Sequence, residues 1–481
     1  MNPITLIDFY KADHRRQYPD KTEYVYSNWT PRMSRIEGQT DVYFFGLQYF
    51  LKKYLMEEFD KFFKEDVDVV CKRYERRMTT SLGPNTIGTD HIRALHNLGY
   101  LPLVFLAIPE GSKIPLRMPM LTVENTHPEF AWLVNYFETI MSNVLWLPCT
   151  SATTASRMRK LLNDAAVKTG SDAGFVNWQG HDFSFRGMAG PEAASLSGAG
   201  HLLFFTGTDT VPALDLIEDY YGAPADYLIG GSVAATEHSV ICAGGKDGEL
   251  QTFDRLLDLY PNGVVSVVSD TWDLWSVLTT ILPQLKDKIM ARNGKRVIRP
   301  DSGDPVKIIC GDPQASGPAQ KGVIELLWDV FGGTVTSTGH KMLDSHIGCI
   351  YGDSITEQRA TAITEGLAAK GFASGNMVFG VGSYTYQYVT RDTFGFAMKA
   401  TWVQIDGKGM DIFKQPKTDN GMKNSAKGRL AVVRDQGKLI LCNQANDWQE
   451  KYSILQPVWK DGKFLKEETF DVIRDRAQKS L

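Results

Sequence analysis

The 481-residue sequence lacks the features that mark several specialised classes of protein. Its six cysteines include no Cys-x-x-Cys pair, which argues against a disulfide scaffold or a zinc site and predicts reduced, mostly buried thiols. The formal net charge is -4, without the basic excess of general nucleic-acid or membrane-surface binders. The amino-terminal residues carry no basic segment before a long apolar stretch, and the most apolar run, residues 100–109, is too short to span a bilayer. These absences predict a soluble cytoplasmic protein that binds neither nucleic acid nor membranes.

Three common catalytic motifs are also missing. The sequence has no Gly-x-x-x-x-Gly-Lys-Ser/Thr phosphate loop and no Gly-x-Ser-x-Gly nucleophile elbow. Gly380-Val381-Gly382 lacks the third glycine of a dinucleotide-binding fingerprint. Any chemistry must therefore come from residues that are dispersed along the chain.

Short apolar runs that end in small or acidic residues recur in the middle of the chain. They are Leu202-Leu203-Phe204-Phe205 before Asp209, Val264 to Val268 before Asp270, Arg296-Val297-Ile298 before Asp301, Ile347 to Ile350 before Asp353, and Met377-Val378-Phe379 before Gly380. Apolar strands that alternate with helices are typical of a parallel sheet covered on both faces. A (β/α) barrel gathers its active-site residues at the carboxyl ends of such strands. Each aspartate taken alone is equally compatible with a helix cap or a turn.

Other patterns suggest how the chain is divided. Apolar residues at helical spacing predict helices over residues 44–74, 129–147, 150–167, 272–285 and 356–370. Asp406-Gly407 and Asp461-Gly462 predict hairpin turns in a tail of strands. We therefore expect an α/β protein in which residues 151–389 form a barrel-like domain carrying the active site. Residues 1–150 and 390–481 would form a discontinuous α+β domain beside it.

Several segments combine residues suited to binding a flat, charged substrate. Phe183 could stack on a heterocycle, and Arg186 could bind a phosphate through two hydrogen bonds. The ordinary alternative is a core phenylalanine beside a surface arginine. Arg299 and Asp301 would suit a phosphate and its magnesium ion. His238 follows Glu237 and could bind a metal or accept a phosphoryl group, but a lone histidine is more often structural. A basic loop contains Lys414, Lys417, Lys423, Lys427 and Arg429, and solvated lysines explain such a loop equally well.

In this order and at these spacings, the segments resemble the nicotinamide phosphoribosyltransferase family of type II phosphoribosyltransferases. The resemblance runs nearly end to end. The segments that carry it include Asp8-Phe9-Tyr10-Lys11, Phe45-Gly46-Leu47-Gln48-Tyr49, His181-Asp182-Phe183, Phe185-Arg186-Gly187, Gly207-Thr208-Asp209-Thr210-Val211, Glu237-His238-Ser239, Ser266 to Asp270, Ile298 to Gly303, Gly352-Asp353, Thr390-Arg391-Asp392 and Lys427-Gly428-Arg429-Leu430.

The resemblance implies a role for each matching residue. Phe183 would stack on the pyridine ring, Tyr10 of a second subunit would close its other face, and Asp209 would accept a hydrogen bond from the carboxamide. The residues implied to hold pyrophosphate are Arg186, His238 and Arg299. Those implied to hold the ribose phosphate are Asp301, Gly352, Asp353, Gly382 and Ser383, and Ser266 is also placed among the substrate-binding residues. Arg32, Arg391, Lys399 and Lys414 would approach from the partner in a homodimer with shared active sites.

The resemblance also implies the reaction and its cofactors. Nicotinamide and phosphoribosyl pyrophosphate would give nicotinamide mononucleotide and pyrophosphate, a step of NAD salvage. Asp270 and Asp301 would lie next to Mg²⁺, and His238 would be phosphorylated by ATP. The catalytic residues would then be His238, Asp270, Arg299 and Asp301.

Two departures from the family pattern concern the phosphate end of the site. Ser383 and Tyr384 stand where glycines are expected, and Ala397 stands where a serine is expected. The nearest alternative is a nicotinate phosphoribosyltransferase, which Asp209 disfavours because a carboxylate would meet the like charge of nicotinate. A binding protein of the same fold without turnover is the other alternative, and the presence of Arg186, His238 and Asp301 argues against it.

Overall fold

The protein is described by a computed structural model that covers residues 2–83, 87–414 and 425–481. The chain divides into two compact units. The first unit comprises Met1–Thr153, Leu216–Ala225 and Val389–Ser480. The second comprises Thr154–Asp215 and Asp226–Tyr388, with Leu481. No helix in the described ranges is long and apolar enough to cross a membrane. Lys417 and Lys423 of the basic loop lie outside the described residues.

The first unit is built on a seven-stranded antiparallel sheet. In spatial order its strands are Lys408–Asp411, Ala397–Ile405, Thr22–Thr30, Leu121–Asn125, Leu103–Ala107, Gln456–Lys460 and Lys463–Phe464. Two-stranded sheets join Asp41–Tyr43 to Lys113–Pro115 and Leu430–Asp435 to Lys438–Asn443. Its helices include Leu47–Phe50, Leu51–Glu58 (a π-helix), Phe59–Lys64, Val67–Leu82, Asp90–Leu98, Leu133–Tyr136, Asp447–Lys451 and Phe470–Gln478.

Both predicted hairpin turns are confirmed. Asp406 and Gly407 have φ values of 50° and 73°, and Asp461 and Gly462 have 49° and 83°. Two successive residues with positive φ match the twist of antiparallel strands, and Asp-Gly adopts that conformation readily. The turns join Ala397–Ile405 to Lys408–Asp411 and Gln456–Lys460 to Lys463–Phe464.

A buried carboxyl group, Glu110, ties parts of the first unit together. It accepts hydrogen bonds from the backbone N–H groups of Gly46 at 2.6 Å and Gln48 at 2.7 Å, and from the Tyr221 hydroxyl at 3.1 Å. The Tyr221 ring also stacks on Phe45, with 5.1 Å between centroids. These contacts explain why Leu216–Ala225 belongs to the first unit, which the sequence patterns did not indicate.

The second unit contains a seven-stranded sheet in which every strand pair is parallel. In spatial order its strands are Gly207–Thr208, Gly180–Asp182, Met377–Val381, Ile347–Tyr351, Asn293–Arg299, Asn262–Val268 and Ala234–Ala235. Gly207, on one edge strand, forms a parallel bridge with Gly231, just before the other edge strand. The sheet therefore curls back on itself, which confirms the predicted barrel-like α/β fold.

Helices lie between most of these strands. They include Val176–Gln179, Pro191–His201, His238–Ala243, Glu249–Leu259, Leu274–Ser276, Val277–Ile281 (a π-helix), Leu282–Met290, Pro305–Cys310, Pro318–Lys321, Val323–Phe331, Glu357–Ala369 and Ser383–Tyr386. A two-stranded sheet joins Gly333–Val335 to Lys341–Leu343. The strand Ile347–Tyr351 is buried at all five positions, as a parallel strand covered on both faces should be.

Two predictions of local structure are wrong. The run from Leu202 to Phe205 is the buried turn that directly follows the carboxyl end of the helix Pro191–His201, not a strand. A short apolar run suits a buried helix end as well as a strand, so its composition does not separate the two. The two helices expected over residues 129–147 and 150–167 form one helix, Glu138–Thr169, that continues through Pro148.

Candidate active site

A cleft of about 810 Å³ opens at the carboxyl ends of the parallel strands of the second unit. Ten of the residues predicted from the sequence line it together: Phe183, Arg186, Asp209, His238, Arg299, Asp301, Gly352, Asp353, Gly382 and Ser383. They come from six segments that are far apart in sequence. Carboxyl ends of parallel strands meet at one end of a curled sheet, so the fold itself assembles these side chains.

Phe183 forms one wall of the cleft. Its backbone N–H donates to the Val381 carbonyl at 3.0 Å, which extends the strand Gly180–Asp182 by one residue. The ring lies against the backbone at Gly352 and Gly380, where a Cβ atom would stand 3.7 Å and 2.5 Å from it. The glycine at position 380 therefore makes room for the ring, which is half-buried and can offer a face to a flat ligand.

Asp209 presents a carboxylate held in a fixed orientation. Its Oδ1 atom accepts from His181 Nε2 at 2.9 Å and from the Ser232 hydroxyl. Burial alone would raise the pKa of Asp209, but these hydrogen bonds and the nearby charges of His181 and Arg299 bring it below its ordinary value. The carboxylate is therefore ionised near neutral pH. Oδ2 has no hydrogen-bond partner within the described residues and is left for a ligand.

Two arginines supply positive charge. Arg299 ends the strand Asn293–Arg299, and its Nη2 donates to the Thr236 carbonyl at 2.6 Å. Its Nε atom is buried without a hydrogen-bond partner in the described part of the chain. Arg186 lies in the 3-10 turn Phe185–Gly187, is exposed, and forms no ion pair within the described ranges. Both guanidinium groups therefore retain donors for an anionic ligand.

A histidine faces two carboxylates on the same side of the cleft. His238 Nε2 lies 4.0 Å from Asp270 Oδ1 and 3.9 Å from Asp301 Oδ2, while Nδ1 lies 3.0 Å from the Thr271 hydroxyl oxygen. Asp270 Oδ2 accepts from the Asp301 backbone N–H at 2.7 Å and from the Ser302 hydroxyl at 2.6 Å. Asp270 Oδ1 is buried and has no hydrogen-bond partner within the described residues.

Several carboxylates lie near the Tyr351 hydroxyl. Burial raises the pKa of the Tyr351 hydroxyl well above its ordinary value, and the carboxylates of Asp353, Asp270, Asp301 and Asp304 raise it further. In the ranges that the structure covers, no group of three or more His, Cys, Asp or Glu side chains is placed to hold a metal ion. Magnesium needs only one or two protein carboxylates when water and substrate phosphates supply the other ligands, so Asp270 and Asp301 fit that ion.

The other predicted residues lie apart from the cleft lining. Ser266 is buried within its strand, and its hydroxyl has no partner among the described atoms. Five more belong to the first unit: Tyr10, Arg32, Arg391, Lys399 and Lys414. Tyr10 and Arg391 are more than half exposed.

Arg32 and Lys399 line a second cavity, of about 320 Å³, within the first unit. Burial lowers the pKa of Lys399, and the positive charges of Arg32, Lys414 and Lys11 oppose its protonation further, against the attraction of Glu138. This crowding of cations makes the cavity a potential anion site.

The sequence patterns missed several residues that line or support the cleft. Phe185, Thr210, Ser239, Ser354 and Tyr384 also line it, together with Glu237, which the sequence analysis pairs with His238 as a possible metal or phosphoryl-acceptor site. His181 supports it by holding Asp209, a role that its sequence motif does not reveal. Ser383 fits against Gly187, where a Cβ atom would come within 2.0 Å of the serine hydroxyl oxygen. Its neighbour Tyr384 is exposed and stacks on Tyr388 at a centroid distance of 5.6 Å.

Known proteins are similar to this chain in fold, in sequence or in both. The family model "Nicotinate phosphoribosyltransferase (NAPRTase) family" matches residues 178–461, and "Nicotinamide phosphoribosyltransferase, N-terminal domain" matches residues 2–91. The solved nicotinate-nucleotide pyrophosphorylase of Pyrococcus furiosus is similar in fold, with a TM-score of 0.63 at 14% identity over 100% of this chain and 95% of that chain. The human nicotinic acid phosphoribosyltransferase has a TM-score of 0.57 at 16% identity, covering 98% of this chain and 93% of that chain.

Curated relatives are much closer in sequence. A nicotinamide phosphoribosyltransferase of Acinetobacter baylyi is 52% identical over 100% of this chain and 98% of its own length. One of Mycoplasma pneumoniae is 38% identical over 89% of this chain and 95% of its own length. The chain therefore belongs to the nicotinamide phosphoribosyltransferase family, as its sequence motifs indicated.

Proposed function

We propose that the protein is a nicotinamide phosphoribosyltransferase, which joins nicotinamide to phosphoribosyl pyrophosphate and releases nicotinamide mononucleotide and pyrophosphate. The observation that carries this proposal is the ionised carboxylate of Asp209, fixed beside the Phe183 ring in a cleft that also holds Arg186 and Arg299. The names of the curated relatives support the same activity.

Asp209 selects the base. With Oδ1 held by His181 and Ser232, Oδ2 can accept a charge-assisted hydrogen bond from the carboxamide NH₂ of nicotinamide. The carboxylate of nicotinate would meet a like charge at the same place. This argument favours nicotinamide over nicotinate, although the solved structures with the same fold include nicotinate enzymes.

The reaction requires positioning and electrostatic stabilisation. Breaking the bond between ribose C1 and pyrophosphate builds positive charge on the ribose and negative charge on the leaving group. Arg186 and Arg299 stabilise that negative charge, and Phe183 holds the pyridine ring so that its nitrogen faces C1. The nitrogen lone pair is free in neutral nicotinamide, so the reaction needs no general base.

Asp270 and Asp301 would hold Mg²⁺ together with substrate phosphates. The buried Oδ1 atom of Asp270, which accepts no hydrogen bond from the described residues, supports this assignment, because a buried carboxylate oxygen is costly to leave without one. When bound, the ion would neutralise charge on the leaving pyrophosphate.

His238 is proposed to accept the γ-phosphoryl group of ATP. With the ring proton on Nδ1 donated to Thr271, the Nε2 lone pair is free to attack phosphorus. The N–P bond forms as the bond from phosphorus to the bridging oxygen of ADP breaks. Hydrolysis then releases inorganic phosphate, which couples ATP consumption to turnover.

The catalytic unit is proposed to be a homodimer. Tyr10 and Arg391 are exposed on the first unit, where a second copy of the chain can reach them. In this arrangement the Tyr10 ring of one subunit closes the face of nicotinamide opposite the partner subunit's Phe183. Arg32, Lys399 and Lys414 meet the ribose phosphate in the same shared site.

A product assay tests the function. The protein is incubated with phosphoribosyl pyrophosphate, Mg²⁺ and either nicotinamide or nicotinate, with and without ATP, and mononucleotides are quantified by chromatography. We expect nicotinamide mononucleotide as the main product. A preference for nicotinate would support the alternative enzyme, and calorimetric binding of both substrates without any product would support a binding protein.

A further inference from the structure

Arg117 occupies a backbone conformation that disfavours its side chain. It follows the strand Lys113–Pro115 and has a φ of 68°, in the left-handed region. This region costs a residue with a Cβ atom about 1–2 kcal/mol, whereas glycine adopts it freely. The conformation is fixed, because the Arg117 N–H donates to the Pro31 carbonyl at 2.6 Å and the Leu116 N–H donates to the Thr40 carbonyl at 3.0 Å. Glycine would serve the turn better, so the side chain needs another explanation.

The side chain lines the basic cavity of the first unit. Arg32 and Lys399 line the same cavity, and none of the described residues around it is acidic. Arg32 Nε donates to the Gly395 carbonyl at 2.9 Å and Lys399 Nζ to the Met398 carbonyl at 2.9 Å. Within the described residues the Arg117 guanidinium forms no ion pair or hydrogen bond. Three cations therefore line this cavity, and no carboxylate lines it with them among the described residues.

We infer that Arg117 is a further ligand of the C5-phosphate of the ribosyl substrate. This inference rests on the proposed function, in which Arg186 and Arg299 take the pyrophosphate and leave the phosphate monoester for the basic cavity. A guanidinium group can donate hydrogen bonds to two phosphate oxygens at once. Ala397 lines the same cavity without a side-chain donor, and Arg117 supplies donors there.

The test compares Arg117→Gly with Lys21→Gly. Lys21 also belongs to the first unit and has a φ of 61°, but it pairs at the surface with Asp406. Both changes remove one positive charge and one strained residue, and only the first alters the cavity. Losing a charge-assisted hydrogen bond should raise the KM for phosphoribosyl pyrophosphate about tenfold in Arg117→Gly, with kcat within about twofold. Its melting temperature should equal or exceed that of the wild type, and Arg117→Lys should restore part of the affinity.

Calorimetry identifies the group that Arg117 binds. Arg117→Gly should weaken nicotinamide mononucleotide about tenfold and leave nicotinamide riboside and pyrophosphate unchanged. Lys21→Gly should change none of these affinities. Unchanged affinity for the mononucleotide, a selective loss of pyrophosphate, or a fall in melting temperature that accompanies a general loss of binding would each overturn the assignment. If the wild type makes no product yet binds the mononucleotide through Arg117, the proposed function is wrong. The assignment of Arg117 as a phosphate ligand is then still correct.

Discussion

Replacing Asp209 by asparagine should change which base the enzyme uses. His181 and Ser232 both donate to Oδ1, so the asparagine carbonyl oxygen should take that position to accept from them. The amide NH₂ would then occupy the place of Oδ2. The atom that faces the base is then a hydrogen-bond donor instead of an acceptor. A donor suits the carboxylate of nicotinate but cannot accept a hydrogen bond from the NH₂ group of nicotinamide.

The expected loss of nicotinamide use in Asp209→Asn depends on how exposed the Asp209 carboxylate is. A hydrogen bond to a charged group contributes about 1.5–3 kcal/mol, and each 1.4 kcal/mol is tenfold in rate. The Asp209 side chain is 44% exposed in the free protein, so solvent screening places the loss at the lower end. We expect kcat/KM for nicotinamide to fall about 10- to 30-fold in Asp209→Asn, while kcat/KM for nicotinate rises.

Initial rates with each base, measured by mononucleotide formation at saturating phosphoribosyl pyrophosphate, provide the assay. Asp226→Asn is the matched control, since Asp226 is an exposed residue of the same unit that does not line the cleft. Its kinetics should match the wild type. If Asp209→Asn kept both kcat/KM values unchanged, Asp209 would not contact the base and the argument for nicotinamide would be refuted.

Three more predictions follow from the site and the core. His238→Ala should lose both the acid-labile label from γ-³²P-ATP and the stimulation by ATP, and a fully labelled variant would place the acceptor elsewhere. Mixing inactive Arg391→Ala and Asp301→Ala subunits should restore activity to about half of the dimers if sites are shared, and proven exchange without activity would exclude sharing. Burial raises the pKa of Glu110 to about 7, above its ordinary value, despite the three hydrogen bonds that it accepts. The folded state therefore keeps a proton that the unfolded chain releases, and the stability from this group should decline as the pH rises from about 4.5 to 7. Melting temperatures across that range should show this slope in the wild type but not in Glu110→Gln.

The sequence predicted the second unit better than the first because parallel strands leave a local signal. Four of the five predicted strands are present. Asp301 and Asp353, which follow Arg299 and Tyr351, line one cleft, and Asp270, after Val268, accepts a hydrogen bond from the Asp301 N–H. A buried strand followed by a polar residue can be recognised without knowing its partner strands. The family resemblance then indicated which of those polar residues share the cleft.

The missed features depend on contacts between distant residues. The helix Glu138–Thr169 continues through Pro148, whose ring would meet a Cβ atom at Gly46 within 2.8 Å, so tertiary packing overrides the local signal to stop. The support that His181 gives to Asp209 arises from two strands pairing side by side. Arg117 stands out only once its φ is known, because arginine is not a residue that predicts a left-handed turn.

The strand Thr22–Thr30 pairs with Ala397–Ile405, a strand that the ribosome makes much later. The Asn28 amide donates to the Lys399 carbonyl across 371 residues of sequence. At a synthesis rate of about 5–20 residues per second, the earlier strand waits about 20–75 s for its neighbour to leave the ribosome. During that interval one side of the strand exposes unpaired backbone groups, which favour pairing between nascent chains. We therefore expect the sheet of the first unit to be completed only after Ala397–Ile405 has been synthesised, and the yield of folded protein in the cell to depend on chaperones that cover this edge.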